Sequence, residues 1–199
     1  MKKPYPPLPA LSHYHLPLSV MVAETSYLPH PEVVAAFDGA VFPTVRARKK
    51  TEKFTIGETQ TGRVMYDDNT TPRWAMMWAH GYGATARLSG WMHAHVWTAA
   101  DEVDAYTHLA NLVMIPESFG SLTDKAGPLT SYLRWHAWAK YGWKPKTGSA
   151  LQEPAGYAQI KWRYLEPASD PIGEVRQLVS RLRNQRVIIL RDLMQIPRA

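Results

Sequence analysis

A chain of 199 residues with 45% hydrophobic and 20% charged side chains is long enough, and apolar enough, for one globular domain with its own core. Its 23 basic and 17 acidic residues give a formal net charge of +6, which favours a polyanionic partner. The absence of cysteine excludes disulfides, thiolate nucleophiles and zinc sites built on cysteine.

The sequence contains no apolar run that approaches the ~20 residues of a membrane-spanning helix. Its first residues also lack the continuous apolar segment of a secretory signal peptide. We therefore expect a cytoplasmic protein with no membrane partner. A homo-oligomer stays open, because composition does not define subunit contacts.

Residues 1–30 are predicted to form a proline-rich N-terminal arm, followed by a single α+β domain over residues 31–199. Prolines are dense at the start of the arm, which disfavours helix and favours extended chain: Pro4, Pro6, Pro7, Pro9 and Pro17. The first predicted element of the domain is a short helix beginning at Pro31.

A basic run lies ahead of the first predicted strands and consists of Arg46, Arg48, Lys49, Lys50 and Lys53. Lysines at this position either protect a sheet edge from pairing or contact phosphate groups of a nucleic acid. One or two strands are predicted at about 53–66. A helix is predicted from about Pro72 to His80, capped by Asn69 or Thr71.

The stretch 91–125 concentrates the residues with catalytic chemistry. Alternation places His93 and His95 on one face of a strand, with the apolar residues between them on the other. A second strand is predicted over 109–115 and contains Asn111, and a short helical segment follows it. The plain alternative is that the histidines line a solvated strand and that Asn111 is a turn residue.

This strand, strand and helix order resembles the HNH (ββα-metal) endonuclease family, through the residues HVW at 95–97, NLVMIP at 111–116 and SLTDK at 121–125. The resemblance implies a ββα-metal core and hydrolysis of DNA with Mg²⁺ or Mn²⁺. It makes His95 the general base and Asn111 the residue that orients it. It makes His93 and Asp124 the candidate metal ligands, because Ala94 stands where the family often has an aspartate.

The residue types suit that chemistry independently of any family. Hydrolysis of a phosphodiester needs a water deprotonated near neutral pH, and imidazole with an ordinary pKa of ~6.5 can accept that proton. Charge that develops on the phosphate is commonly neutralised by a hard cation, which carboxylates and imidazoles can bind.

The remaining chain is predicted to contain a helix after Gly127-Pro128 that ends before Gly142, a strand at 158–165, a helix capped by Ser169 or Asp170 and a final strand at 186–190. We expect His136 to be a buried, hydrogen-bonded histidine. The basic run and the C-terminal arginines, including Arg176 and Arg183 on one helix side, are expected to flank His95.

Two other functions remain open. A non-catalytic nucleic-acid-binding protein, or a phage or bacterial assembly component, would use the same basic residues. A metal-free nuclease acting on RNA would use His93 and His95 as acid and base.

Overall fold

The computed structural model describes residues 12–83, 88–123 and 129–199. Its helices are α1 His15–Thr25, α2 Pro31–Ala35, α3 Thr70–Ala79, α4 Val103–Tyr106, α5 Thr130–Tyr141, α6 Pro171–Arg181 and α7 Gln185–Leu193. Its strands are β1 Thr44–Arg46, β2 Ile56–Thr59, β3 Gly62–Asp67, β4 Trp91–His95 and β5 Leu112–Pro116. The fold is therefore mixed α+β, which confirms the predicted class.

Helix α1 corrects the expectation of an extended arm at residues 15–25, whereas residues 26–30 are extended as expected. Pro17 lies in the first turn of α1, where backbone N–H groups have no intrahelical acceptor, so its missing N–H removes no helical hydrogen bond. Val22 and Ala23 bury the helix against the domain. Pro4, Pro6, Pro7 and Pro9 lie outside the described residues.

The first sheet has the strand order β1-β3-β2, with β1 parallel and β2 antiparallel to β3. The basic run occupies the end of β1 and the connection to β2, with a single 3-10 turn at Lys50–Glu52. Helix α3 follows β3 directly and begins at Thr70, two residues before the predicted start. The Asp67 carboxylate accepts the Thr71 N–H at 2.8 Å, whereas the Asn69 side chain makes no capping bond.

The second sheet pairs β4 with β5 in antiparallel register, with His93 opposite Met114 and His95 opposite Leu112. Single backbone bridges join Tyr27 to Met114 and Leu28 to Tyr164, so two extended segments continue this sheet. The predicted pairing of two strands around the histidines is confirmed, but the second strand begins at Leu112 rather than 109. Leu109–Asn111 forms a 3-10 turn, so Asn111 is a turn residue just before β5 and not a strand residue.

The two faces of β4 contact different parts of the core. Met114 and Leu112, the cross-strand partners of the histidines, pack in a cluster with α3 residues such as Trp74. Ala94, on the opposite face, packs with Leu133 of α5. The order of strand, strand and helix exists along the chain. Helix α5, however, lies against the face of β4 opposite His93 and His95. The ββα-metal core therefore stays a prediction.

The C-terminal region differs from the prediction at two elements. The segment 158–165, predicted as a strand, overlaps the 3-10 turn Tyr157–Gln159 and makes only one backbone bridge, at Tyr164. The segment 186–190, predicted as a strand, belongs to helix α7, which the Asn184 side chain caps by accepting the Val187 N–H at 3.0 Å. Helix α6 begins at Pro171 with Asp170 as its cap, as predicted. Its buried Val175 and Val179 join the same cluster as α3.

Across the described residues, no helix is both long enough and apolar enough to cross a membrane.

Candidate active site at the end of strand β4

The imidazole of His95 is fixed by the residue that ends helix α4. Its Nε2 atom lies 2.9 Å from the carbonyl oxygen of Tyr106, and the two rings stack with centroids 5.3 Å apart. Because a carbonyl oxygen can only accept, Nε2 must carry the ring proton, and Nδ1 keeps its lone pair. The geometry therefore selects the tautomer in which Nδ1 can accept a proton.

Burial is the main cause that lowers the pKa of His95 from its ordinary value of 6.5. The positive charge of Arg46 lowers it further, while the hydrogen bond to the Tyr106 carbonyl opposes the shift. His95 is thus neutral at neutral pH, which is the state that a general base needs before it accepts a proton.

Tyr106 is held in turn by the turn between β3 and α3. Its hydroxyl lies 3.1 Å from Asn69 Oδ1 and 3.3 Å from Asp67 Oδ2, and it accepts the Asn69 N–H at 2.9 Å. Burial and the charge of Asp67 raise the pKa of this phenol, so the hydroxyl stays protonated and can donate. The surface against which His95 stacks is therefore rigidly placed.

The same turn contains a buried ion pair that sequence reasoning missed. The Asp67 side chain is fully buried, and its Oδ1 lies 3.0 Å from Arg186 Nε of α7. Arg186 also donates to Asp68 at 2.8 Å, and its guanidinium lies over the rings of Phe54 and Trp74. No local pattern announces this pair, because its members are more than a hundred residues apart.

Asn111 contacts the loop after β4 rather than the His95 ring. Its side chain is fully buried, its Oδ1 accepts the Trp97 N–H at 2.7 Å, and its Nδ2 donates to the Ala105 carbonyl at 3.0 Å. Ala105 precedes Tyr106, whose carbonyl holds His95. Asn111 therefore fixes the backbone of the loop that holds His95, and its expected role in orienting His95 stays a prediction that would act through this backbone.

His93 lies two residues before His95 on the same face and lines a cleft of about 280 Å³. Asp68, Asn69, Thr70 and Arg73 line the same cleft. The Asp68 carboxylate, however, is already bound by Arg186 at 2.8 Å and lies 3.7 Å from the Lys53 amine. A cation at this carboxylate would compete with two positive side chains.

Within residues 12–83, 88–123 and 129–199, no three His, Asp or Glu side chains converge on a point that could hold a metal. Asp124, the other proposed ligand, lies outside the described residues. The donor set that the structure describes therefore does not fit Mg²⁺ or Mn²⁺ by itself.

Both ends of the basic run lie close to the candidate site. The backbone N–H of Arg46 donates to Ala100 in the loop after β4, and the charge of Arg46 acts on His95. Arg48 pairs with Asp101 of that loop at 3.3 Å, and Lys53 lies near Asp68 of the His93 cleft. Lys49 and Lys50 are exposed between them.

The C-terminal arginines do not act as one group. Arg183 lies beyond the end of α6, so the predicted sharing of a helix side with Arg176 is wrong. Arg191 donates to the carbonyls of Val179 and Leu182 and so caps α6. Arg186 alone is near the site, inside the ion pair with Asp67.

Three further histidines are structural. His80 bridges the Met76 carbonyl and the His30 N–H, His108 stacks on a tryptophan ring, and His136 contacts two tyrosine hydroxyls. Burial lowers the pKa of His80 and His108 to about 4 and that of His136 to about 3. The expected buried, hydrogen-bonded environment of His136 is confirmed.

No family model, no curated protein and no solved structure matches this chain. Membership of the HNH family therefore stays a prediction. Function has to be inferred from the contacts of His95 and the residues around it.

Proposed function

We propose that the chain is an HNH-type endonuclease that hydrolyses phosphodiester bonds of DNA, with His95 as the general base. The observation that carries this proposal is the hydrogen bond from His95 Nε2 to the Tyr106 carbonyl. It leaves Nδ1 as the proton acceptor on a ring that stacking holds in one orientation.

In the proposed reaction, a water at Nδ1 of His95 loses a proton to the imidazole while its oxygen attacks the phosphorus. The bond from phosphorus to one sugar oxygen breaks, and that leaving oxygen takes a proton from solvent. The ring then carries a positive charge, and its Nε2–H donates more strongly to the Tyr106 carbonyl. That bond stabilises the protonated ring. Because the ring is already fixed, little reorganisation is needed when the proton moves.

The basic run supplies the positive field that a polyanionic substrate needs. Arg46, Arg48, Lys49 and Lys50 are exposed along the border of the site, and Lys53 is half-buried beside the His93 cleft. Such a field raises the local concentration of nucleic acid and orients it.

A requirement for Mg²⁺ or Mn²⁺ follows only from the HNH resemblance, since the described residues do not fit a metal. Asp124 and His93 remain its proposed ligands. The cleavage assay below is therefore run with each metal ion and with a chelator.

The test is cleavage of plasmid DNA by the full chain in Mg²⁺ or Mn²⁺, with and without EDTA. We expect nicking by the wild type, its loss in His95→Ala and its retention in His13→Ala, the matched control at an exposed histidine. Circular dichroism must show that His95→Ala is folded, and His95→Gln provides a second variant if it is not. Full cleavage by folded His95→Ala or His95→Gln would contradict the proposal.

The second candidate is a nucleic-acid-binding protein without catalysis. It is favoured by one observation, the packing of α5 on the face of β4 opposite the two histidines. Uncut DNA together with tight, salt-sensitive binding would support it. Cleavage that is confined to RNA and unaffected by EDTA would instead indicate a metal-free use of His93 and His95.

A further inference from the structure

A cavity beside strand β5 is lined mainly by tyrosine and methionine and has a volume of about 730 Å³. Three tyrosines line it, Tyr27, Tyr82 and Tyr164, together with Met77 and Met114. We refer to it as the tyrosine cavity. Its volume exceeds that of a single flat ring, and aromatic side chains are suited to stacking on one.

The tyrosine cavity adjoins the candidate active site through the second sheet. Met114, in its lining, is the direct cross-strand partner of His93, and Tyr27 pairs through its backbone with Met114. The ring of Tyr27 also contacts the ring of Trp91, with centroids 5.8 Å apart. Since Met114 pairs with His93, and His95 lies two residues further along β4, this part of the lining is one strand away from His95 and offset by roughly 7 Å along the strand direction.

The rim of the cavity carries two exposed groups of opposite charge, Arg163 and Glu166. The Arg163 guanidinium lies 4.5 Å from the Tyr27 ring centroid and donates to the Glu24 carbonyl at 2.9 Å. These contacts fix it at the mouth. A ligand that suits this lining has a flat apolar face for the tyrosines and polar atoms at its edge for the rim.

We infer that the tyrosine cavity binds an unpaired nucleobase of the nucleic acid whose backbone lies at His95. This inference rests on the proposed function, because a polynucleotide at His93 and His95 places neighbouring bases at this part of the sheet. A nucleobase has both required features, a π-face and an edge of hydrogen-bonding groups. The cavity would thereby hold the nucleic-acid strand in register with His95.

The test measures binding rather than cleavage, so that it is independent of the nuclease assignment. The full chain carrying His95→Ala is titrated, in EDTA, with a fluorescently labelled duplex containing one unpaired adenine. The comparison duplex has an abasic site at the same position. We expect about tenfold tighter binding of the duplex that retains the adenine. This equals about 1.4 kcal/mol, which lies within the range for stacking of one base on aromatic side chains.

Tyr82→Ala, made in the same background, removes a cavity tyrosine that is 40% exposed, and Tyr14→Ala removes one that is 52% exposed elsewhere. We expect Tyr82→Ala to abolish the difference between the two duplexes and Tyr14→Ala to preserve it. Leu88→Trp, which adds bulk at the half-buried cavity wall, should have the same effect as Tyr82→Ala.

Equal affinity for the two duplexes, or an unchanged difference in both cavity variants, would overturn the inference. Adenosine monophosphate is titrated as a competitor of the labelled duplex. If it displaces the duplex at the concentration of a free nucleotide pool, the occupant is a mononucleotide rather than a base of a strand. That result would also overturn the inference. If the wild type cuts no DNA but still binds the duplex with the unpaired adenine more tightly than the abasic duplex, the inference about the tyrosine cavity is supported. Only the nuclease assignment is then rejected.

Discussion

The carbonyl oxygen of Tyr106 holds His95 Nε2 at 2.9 Å while the phenol of the same residue stacks on the imidazole. One residue therefore determines both the tautomer and the orientation of the proposed base. The carbonyl belongs to the backbone, so side-chain substitutions can separate these two roles.

Tyr106→Phe tests that separation. It keeps the carbonyl and the stacked ring but removes the hydroxyl that accepts the Asn69 N–H, so we expect DNA cleavage to fall by less than about tenfold. The free energy of unfolding should fall by about 1–3 kcal/mol, because a buried donor loses its acceptor. Urea denaturation and plasmid nicking measure the two effects. Complete loss of cleavage in a folded variant would show that the hydroxyl, not the carbonyl, matters.

The pH dependence of cleavage should report the lowered pKa of His95. Because burial and Arg46 lower that pKa below 6.5, the base stays neutral, and activity should persist, as pH falls to 6.5. The acidic limb of kcat/KM is expected below that pH. Arg46→Gln should move the limb towards higher pH, since it removes a positive charge. A limb centred above pH 7 in the wild type would contradict His95 as the base.

Stability should decrease as pH falls below 6.5, because burial lowers the pKa of His95 and of three further histidines. His80, His108 and His136 have folded-state pKa values of about 4, 4 and 3, below the unfolded value of 6.5. Between these values the unfolded state binds more protons, so acid favours unfolding. Each histidine contributes on the order of 1 kcal/mol per pH unit in this window. Denaturation at pH 7.5, 6 and 5 checks the slope, which should be shallower in folded His136→Gln.

Arg186→Met should destabilise the protein by about 3–5 kcal/mol, because it leaves the fully buried Asp67 carboxylate without its cation. Arg176→Met, at an exposed arginine of α6, is the matched control and should change stability by less than about 0.5 kcal/mol. The double variant Arg186→Met with Asp67→Asn should lose less than the sum of the single variants. Additive losses would mean that the two side chains do not interact.

Neutralising three basic side chains tests the proposed DNA-binding surface. With Arg48→Gln, Lys49→Gln and Lys50→Gln combined, we expect weaker DNA binding and a slope of log Kd against log salt smaller by up to about 2.7. The control set, Arg176→Gln, Arg181→Gln and Arg183→Gln, removes the same charge from the C-terminal region. Equal losses from the two sets would indicate that only net charge matters. Unchanged binding after the first set would place DNA elsewhere.

The sequence was sufficient to predict those structural elements that depend on residues close together in the chain. Alternation predicts that His93 and His95 share a strand face, and the β4 and β5 register confirms the strand pair. Asp170 with Pro171 predicts the start of α6, and Gly142 predicts the end of α5. In the structure Gly142 has a φ of 67°, the left-handed conformation that glycine favours. Each of these signals lies within a few residues of the structure that it determines.

Helices α1 and α7 show where local rules fail. Proline density and β-branched residues favour extended chain over both segments, yet each buries an apolar side against the domain, as Val22 and Val187 do. The free energy gained by this burial outweighs a weak local preference.

Only the tertiary structure determines the surroundings of His95. The bond to the Tyr106 carbonyl requires the loop and helix α4 to fold back on β4. The ion pair of Asp67 with Arg186 and the packing of α5 on β4 join segments that are distant in sequence. A side chain's type and its strand face are local properties, so the sequence supplies them. The tautomer, the pKa and the partners of that side chain depend on burial and on long-range contacts, and these exist only once the chain has folded.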